Sequence, residues 1–191
     1  MRLDKGMQKS EIENAIKNCG DFVKIDHLTR LLKEKVPTDT RKFIQLKLGE
    51  IYERRFMFVD SAKAYEDAAS CATTFAEQIK CYVKEAELLI MAGDFVRAED
   101  SMKKAMVQAN DFEKGSIYEG IKNFYKKQAD ALEKGNKRGN AVRIYEKLLE
   151  MQISDDERRL IKLKLVNLYE KLGKIREFIA TKKSLEENRN P

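Results

Sequence analysis

The sequence contains no tryptophan, only two prolines, one histidine and three cysteines in 191 residues. So few prolines leave long stretches free to run as unbroken helix, because proline withholds an amide donor and collides with the preceding turn. The single histidine, His27, removes most zinc sites and every Ser-His or Cys-His dyad that does not use it. The repeat pattern described below places it on a second helix, partly exposed. Cys19, Cys71 and Cys81 form no CxxC pair and leave an odd count, which points to reduced thiols and a cytoplasmic protein. The opening MRLDKGMQKSEIENAIK lacks the apolar centre of a signal peptide, and no apolar run approaches the length of a membrane span, so no membrane insertion is expected.

What is present favours helices. Apolar residues make up 42% and charged residues 37%, with Lys, Glu, Ala and Leu abundant. Basic residues number 38 against 32 acidic, a formal charge of +6. Most charges can therefore be balanced locally, and the surplus suits an acidic partner without requiring nucleic acid.

Helix-start signals recur along the chain. Ser10 with Glu13, Thr74 with Glu77, Asn110 with Glu113 and Ser154 with Glu157 each match a capping box, in which a small polar residue and a Glu three places on satisfy each other's amides. Thr38-Asp39 after Pro37 serves a fifth start. Glycines then mark turns: Gly20-Asp21-Phe22, Gly93-Asp94-Phe95 and Gly173-Lys174-Ile175 are near copies, and Gly135 to Gly139 is a looser one. A glycine followed by a polar and an apolar residue can end one helix in a left-handed conformation and start the next.

Numbered from starts near 6, 42, 79, 122 and 159, five units align. Position 8 is Gly49, Ala86, Ala129 and Val166 in the last four, position 20 is Ser61, Ala98, Ala141 and Phe178, and position 27 is Ala68, Ala105, Leu148 and Leu185. Leu48-Gly49 with Tyr52 reproduces a Leu-Gly-x-x-Tyr signature, and Pro37 closes the first unit. On these residues the sequence resembles the tetratricopeptide repeat family over about residues 8 to 187, with units slightly longer than the family's typical length of about 34. The resemblance implies an all-α fold: a right-handed superhelix of about five antiparallel helix pairs, a TPR-like α-solenoid forming a single domain over 1–191. Small residues at the facing positions let the helices of a pair approach, and stacked neighbours bury the stripe that one pair cannot. The first unit, with Glu13 at position 8, and the last, with Phe178 at position 20, depart from the pattern as capping units do. AYEDAASCA and AVRIYEKLLE are also similar to segments of the SNAP branch, the soluble attachment proteins that grip SNARE bundles. The C-terminal KSLEENRNP lacks the hydrophobic ending that branch's ATPase contact would call for.

Little in the sequence carries catalytic chemistry. Gly115 to Gly120 has the gap of a phosphate-binding loop, but Ile121-Lys122 stands where its Lys and Ser or Thr belong, and the stretch lies within an expected helix. Asp155-Asp156 fit a helix N-terminus. Cys71 and Cys81 fit packing sites at a junction between units. No enzyme activity, cofactor or metal is expected.

One column remains. Position 6 is Lys47, Lys84, Lys127 and Lys164 in successive units, and position 9 is Glu50, Glu87, Asp130 and Asn167. Position 13 adds Arg54, Lys134 and Lys171, with Met91 as the exception. In proteins this sequence resembles, first-helix positions line a concave groove that receives ligands. Such a column suits an acidic protein segment. The same residues, three apart on one face, can equally pair with each other as surface support. Leu46, Glu50 and Val83 occupy positions where the family's carboxylate clamp carries Asn and Lys, which argues against a chaperone tail as ligand. Phe43, Tyr82, Tyr118, Phe124, Tyr125 and Tyr145 fall where helix packing uses them rather than beside a basic stripe. An RNA-binding solenoid is accordingly the alternative rather than the first expectation. The expected activity is that of a non-catalytic scaffold or adaptor, monomeric or weakly self-associating. Its alternatives are the RNA-binding solenoid and a SNAP-like adaptor for an acidic coiled-coil bundle.

Overall fold

A computed structural model describes residues 4–187, which form ten helices and, among these residues, no strand. The helices are α1 (Lys9–Ile16), α2 (Asp21–Lys33), α3 (Thr38–Arg54), α4 (Phe58–Ser70), α5 (Phe75–Ala92), α6 (Phe95–Gln108), α7 (Asp111–Lys134), α8 (Arg138–Glu150), α9 (Asp155–Leu172) and α10 (Ile175–Glu187). Their order follows the expected helix starts, but α3, α5 and α9 each begin four residues before the unit starts near 42, 79 and 159, and α7 begins eleven residues before the one near 122. Contacts run between chain neighbours: α2 with α3, α3 with α4, α4 with α5, α5 with α6, α8 with α9 and α9 with α10. The chain divides into two compact units on either side of the Ile117–Tyr118 link, within α7.

In the unit up to Ile117, the core begins with Ile12, Ile16, Leu28 and Leu31 against Ile44, Leu48 and Ile51. Small residues then let α3 and α4 close up. Ser61 Oγ donates to the Gly49 carbonyl at 2.8 Å, and a Cβ on Gly49 would lie 2.7 Å from the Tyr65 ring. Position 8 and position 20 thus meet as the repeat pattern requires. Ala86 and Ala98 are buried at the same two positions of α5 and α6. Cys81 is buried beside Ala68 and Ala69, and Cys71 is half-buried, in keeping with packing roles. His27 is half-buried on α2. In the unit from Tyr118 on, Ala129, Ala141 and Leu148 are fully buried. Phe178 and Leu185 in α10 are only half-buried, and that helix has no fully buried residue.

The turns inside the pairs share one backbone design. Residue 15 of the unit adopts a left-handed conformation at Phe56 (φ 59°), Gly93 (φ 78°), Asn136 (φ 61°) and Gly173 (φ 69°). The following amide reaches back five residues in each: Met57 to Tyr52, Asp94 to Leu89, Lys137 to Leu132 and Lys174 to Tyr169, at 2.8–2.9 Å. This pattern satisfies carbonyls that the helix end would leave bare. The glycine signal located two of these turns correctly. In the looser one, Asn136 rather than Gly135 or Gly139 takes the left-handed position, a conformation Asn tolerates. Gly20 departs altogether: at φ −67° it opens α2 instead of closing α1.

Two of the four expected helix-start pairs form in full and a third by one of its two bonds. Asn110 with Glu113, and Ser154 with Glu157, exchange both hydrogen bonds. Thr74 accepts from the Glu77 amide at 3.2 Å, while the Glu77 carboxylate accepts from Thr73. Ser10 with Glu13 does not form. Helix α1 starts earlier, where Glu11 accepts from the Gln8 amide at 2.7 Å, which frees Glu13 for an ion pair with Lys47. The stretch from Gly115 to Gly120 is helical, so it offers no phosphate-binding loop.

Candidate functional site

The position-6 and position-9 residues all lie on the first helices of their pairs: Lys47 and Glu50 on α3, Lys84 and Glu87 on α5, Lys127 and Asp130 on α7, and Lys164 and Asn167 on α9. Three of the four lysines are tied into ion pairs. Lys47 bonds Glu13 at 2.9 Å and lies 3.6 Å from Glu50. Lys84 bonds Glu53 at 2.7 Å and lies 3.7 Å from Glu87. Lys164 bonds Asp130 at 2.5 Å, with Glu133 at 3.8 Å. Within each compact unit, then, a position-6 lysine reaches an acid of the preceding helix pair. Glu13, Glu53 and Asp130 supply that acid, with Glu133 farther from Lys164; Glu53 and Glu133, both position 12, were missed in the sequence. An acid six places after Lys47, Lys127 and Lys164, though not after Lys84, was the available signal.

Lys127 behaves differently. It is exposed and forms no ion pair among the described residues. Asn167 is exposed as well.

Electrostatics follow from these partners. The Glu13 carboxylate, accepting from Lys47, holds that ammonium above its ordinary range against the opposing effect of burial. Burial pushes the Glu87 carboxyl up, and the nearby Lys84 only partly offsets it. Burial also pushes Asp130 up, but hydrogen bonds from Lys164 and Tyr145 outweigh it and hold the carboxyl below the usual range. Tyr145, fixed at the equivalent of Tyr65 (position 24), donates toward Asp130 at 2.7 Å and Glu133 at 2.9 Å. Lys164 donates to the Tyr145 oxygen at 2.9 Å. Burial and these acceptors keep the phenol protonated well beyond the ordinary tyrosine range.

This network forms one side of a cavity of about 440 Å³ in the unit from Tyr118 on. Asp130 and Glu133 come from α7, and Lys164 and the buried Leu168 from α9. Three more cations line it: Lys134 in the last turn of α7, Arg138 at the start of α8 and Lys171 in the last turn of α9. None of these three forms an ion pair among the described residues. The lining therefore carries four cations against two carboxylates. Lys134 and Lys171 are the position-13 residues noted in the sequence. Arg138 was missed, because nothing marks a second-helix residue as turned toward the first helices. Arg54, the remaining position-13 cation, is instead paired with Asp21 at 2.9 Å.

Among the described residues no helix is long and apolar enough to cross a membrane, and no cluster of His, Cys, Asp and Glu is arranged to hold a metal ion. A scan against protein-family models finds no match, and a search of curated proteins finds none either.

Proposed function

We propose that this protein is a non-catalytic, tetratricopeptide-like scaffold that docks an acidic segment of a partner protein on the first helices of its pairs. The observation that carries the reading is the cavity between α7, α8 and α9, whose cations outnumber its carboxylates and include three that form no ion pair among the described residues. Lys127, also unpaired, extends that positive surface along α7. Ion-paired Lys47, Lys84 and Lys164 contribute less, since a partner's carboxylate must displace Glu13, Glu53 or Asp130 to engage them. Glu50 and Glu87 in the one unit, and Asp130 and Asn167 in the other, then shape which acidic segments each unit accepts. The free state of Cys19, Cys71 and Cys81 fits a reducing, cytoplasmic setting.

The test is affinity capture from lysate, with and without nuclease, comparing the natural chain with a Lys127→Glu, Lys134→Glu, Lys171→Glu variant. None of these three lysines forms an ion pair among the described residues, although Lys134 lies close enough to Asp130 to favour its charged form, so the variant's fold is checked before capture. A protein retained after nuclease and lost from the folded variant is the expected result. Recovery that disappears with nuclease would replace this reading with the RNA-binding one.

A further inference from the structure

We infer that the α7–α8–α9 cavity is a receptor for two adjacent carboxylates of an acidic peptide, held by Lys134, Arg138 and Lys171. The inference rests on the scaffold reading above and names the chemistry of its ligand and the side chains that take it.

The charges of the cavity divide into two groups. Asp130, Glu133, Lys164 and the Tyr145 hydroxyl satisfy one another through contacts of 2.5–3.8 Å and form a fixed wall. That wall carries one ammonium against two carboxylates. Lys134, Arg138 and Lys171 stand around it without an ion pair among the described residues, Lys134 acting on Asp130 only at longer range. The cavity as a whole is left with a surplus of two positive charges, which two carboxylates neutralise. Arg138 offers a planar fork suited to bidentate capture of one of them, and the two lysines act as mobile point charges for the other. Leu168, buried at the cavity wall, gives the methylene stem of a glutamate an apolar surface to lie on.

The same lining disfavours nucleic acid. A base needs an exposed aromatic face to stack on, and Tyr145, whose hydroxyl anchors the wall, is only 2% exposed.

Lys134 and Lys171 sit in the last turns of their helices, where a cation also balances the helix dipole. The experiment must separate that role from ligand binding. Fluorescein-labelled hexaglutamate is titrated into the full chain by anisotropy, alongside a labelled hexauridylate. The proteins compared are the natural chain, Lys134→Gln with Lys171→Gln, Arg138→Gln, and a charge-matched control, Lys63→Gln with Lys103→Gln. Hexaglutamate should bind in a salt-sensitive way, the double variant should weaken it at least tenfold, Arg138→Gln should weaken it several-fold, and the control should match the natural chain. Failure of the natural chain to bind hexaglutamate overturns the inference. So does a double variant with a lowered unfolding temperature and unchanged affinity, which would reduce both lysines to dipole partners. Tighter binding of hexauridylate overturns it in favour of RNA. Should hexaglutamate fail while nuclease-resistant capture still depends on Lys127, Lys134 and Lys171, the scaffold reading survives and the carboxylate-pair receptor does not.

Discussion

At the scale of single residues, Phe56 stands out. It holds the left-handed position that Gly93, Asn136 and Gly173 hold in the other turns, and it is 78% exposed. A residue with a Cβ is disfavoured there by about 1–2 kcal/mol. Its one aromatic contact, edge-on to Phe58 at 6.0 Å, returns only part of that. Phe56→Gly is therefore expected to raise the unfolding temperature by about 2–4 °C, the equivalent of about 1 kcal/mol in a chain of this size. A fall would mean that the Phe56–Phe58 contact outweighs the backbone strain. This turn was invisible in the sequence because no glycine or asparagine announces it. Glu85 was equally illegible. It is buried with one oxygen unpartnered, and burial raises its carboxyl above the ordinary range, whereas Glu87 two residues away is only half-buried and reads no differently as a letter.

At the scale of elements, the pairing of α3 with α4 depends on Gly49. The Tyr65 ring occupies the space a Cβ would need, so Gly49→Ala forces the ring or the helix to shift. Overpacking of this kind typically costs about 1–3 kcal/mol, more than the helix propensity gained from alanine. Gly49→Ala is expected to lower stability in the natural chain and to raise it by about 1 kcal/mol when Tyr65 is already alanine, measured by denaturant unfolding as a double-mutant cycle. Equal losses in both backgrounds would show that the ring is not what keeps the position small. Elements were the most legible level of this molecule. Capping pairs such as Ser154 with Glu157, and the small residues Ser61, Ala98 and Ala141, report local geometry directly because only short side chains fit there. Helix α1 was misplaced because Gln8 to Glu11 carries the same spacing as Ser10 to Glu13, and burial of Ile12 and Ile16 chooses between them.

At the scale of the whole molecule, the repeat sets where charge accumulates. A periodic lysine is legible as a column, but whether it is free depends on acids contributed by the preceding pair, such as Glu53 for Lys84 and Asp130 for Lys164. Those partners are distant in sequence, so the column suggested a ligand surface where much of the charge is already used. Among the cations at the α7–α8–α9 cavity, Lys134, Arg138 and Lys171 form no ion pair among the described residues, and within the column Lys127 forms none either. Surface pairs like Lys103 with Asp100 contribute little and are screened by salt. A partner held by the unpaired cations should itself dissociate as salt rises. The most direct measurement is amide hydrogen exchange on the chain alone and bound to the protein recovered by capture. Slower exchange in the last turns of α7 and α9 upon binding is the expected result. Protection confined to the second helices α4, α6 and α10, with α7 and α9 unchanged, would contradict docking on the first helices.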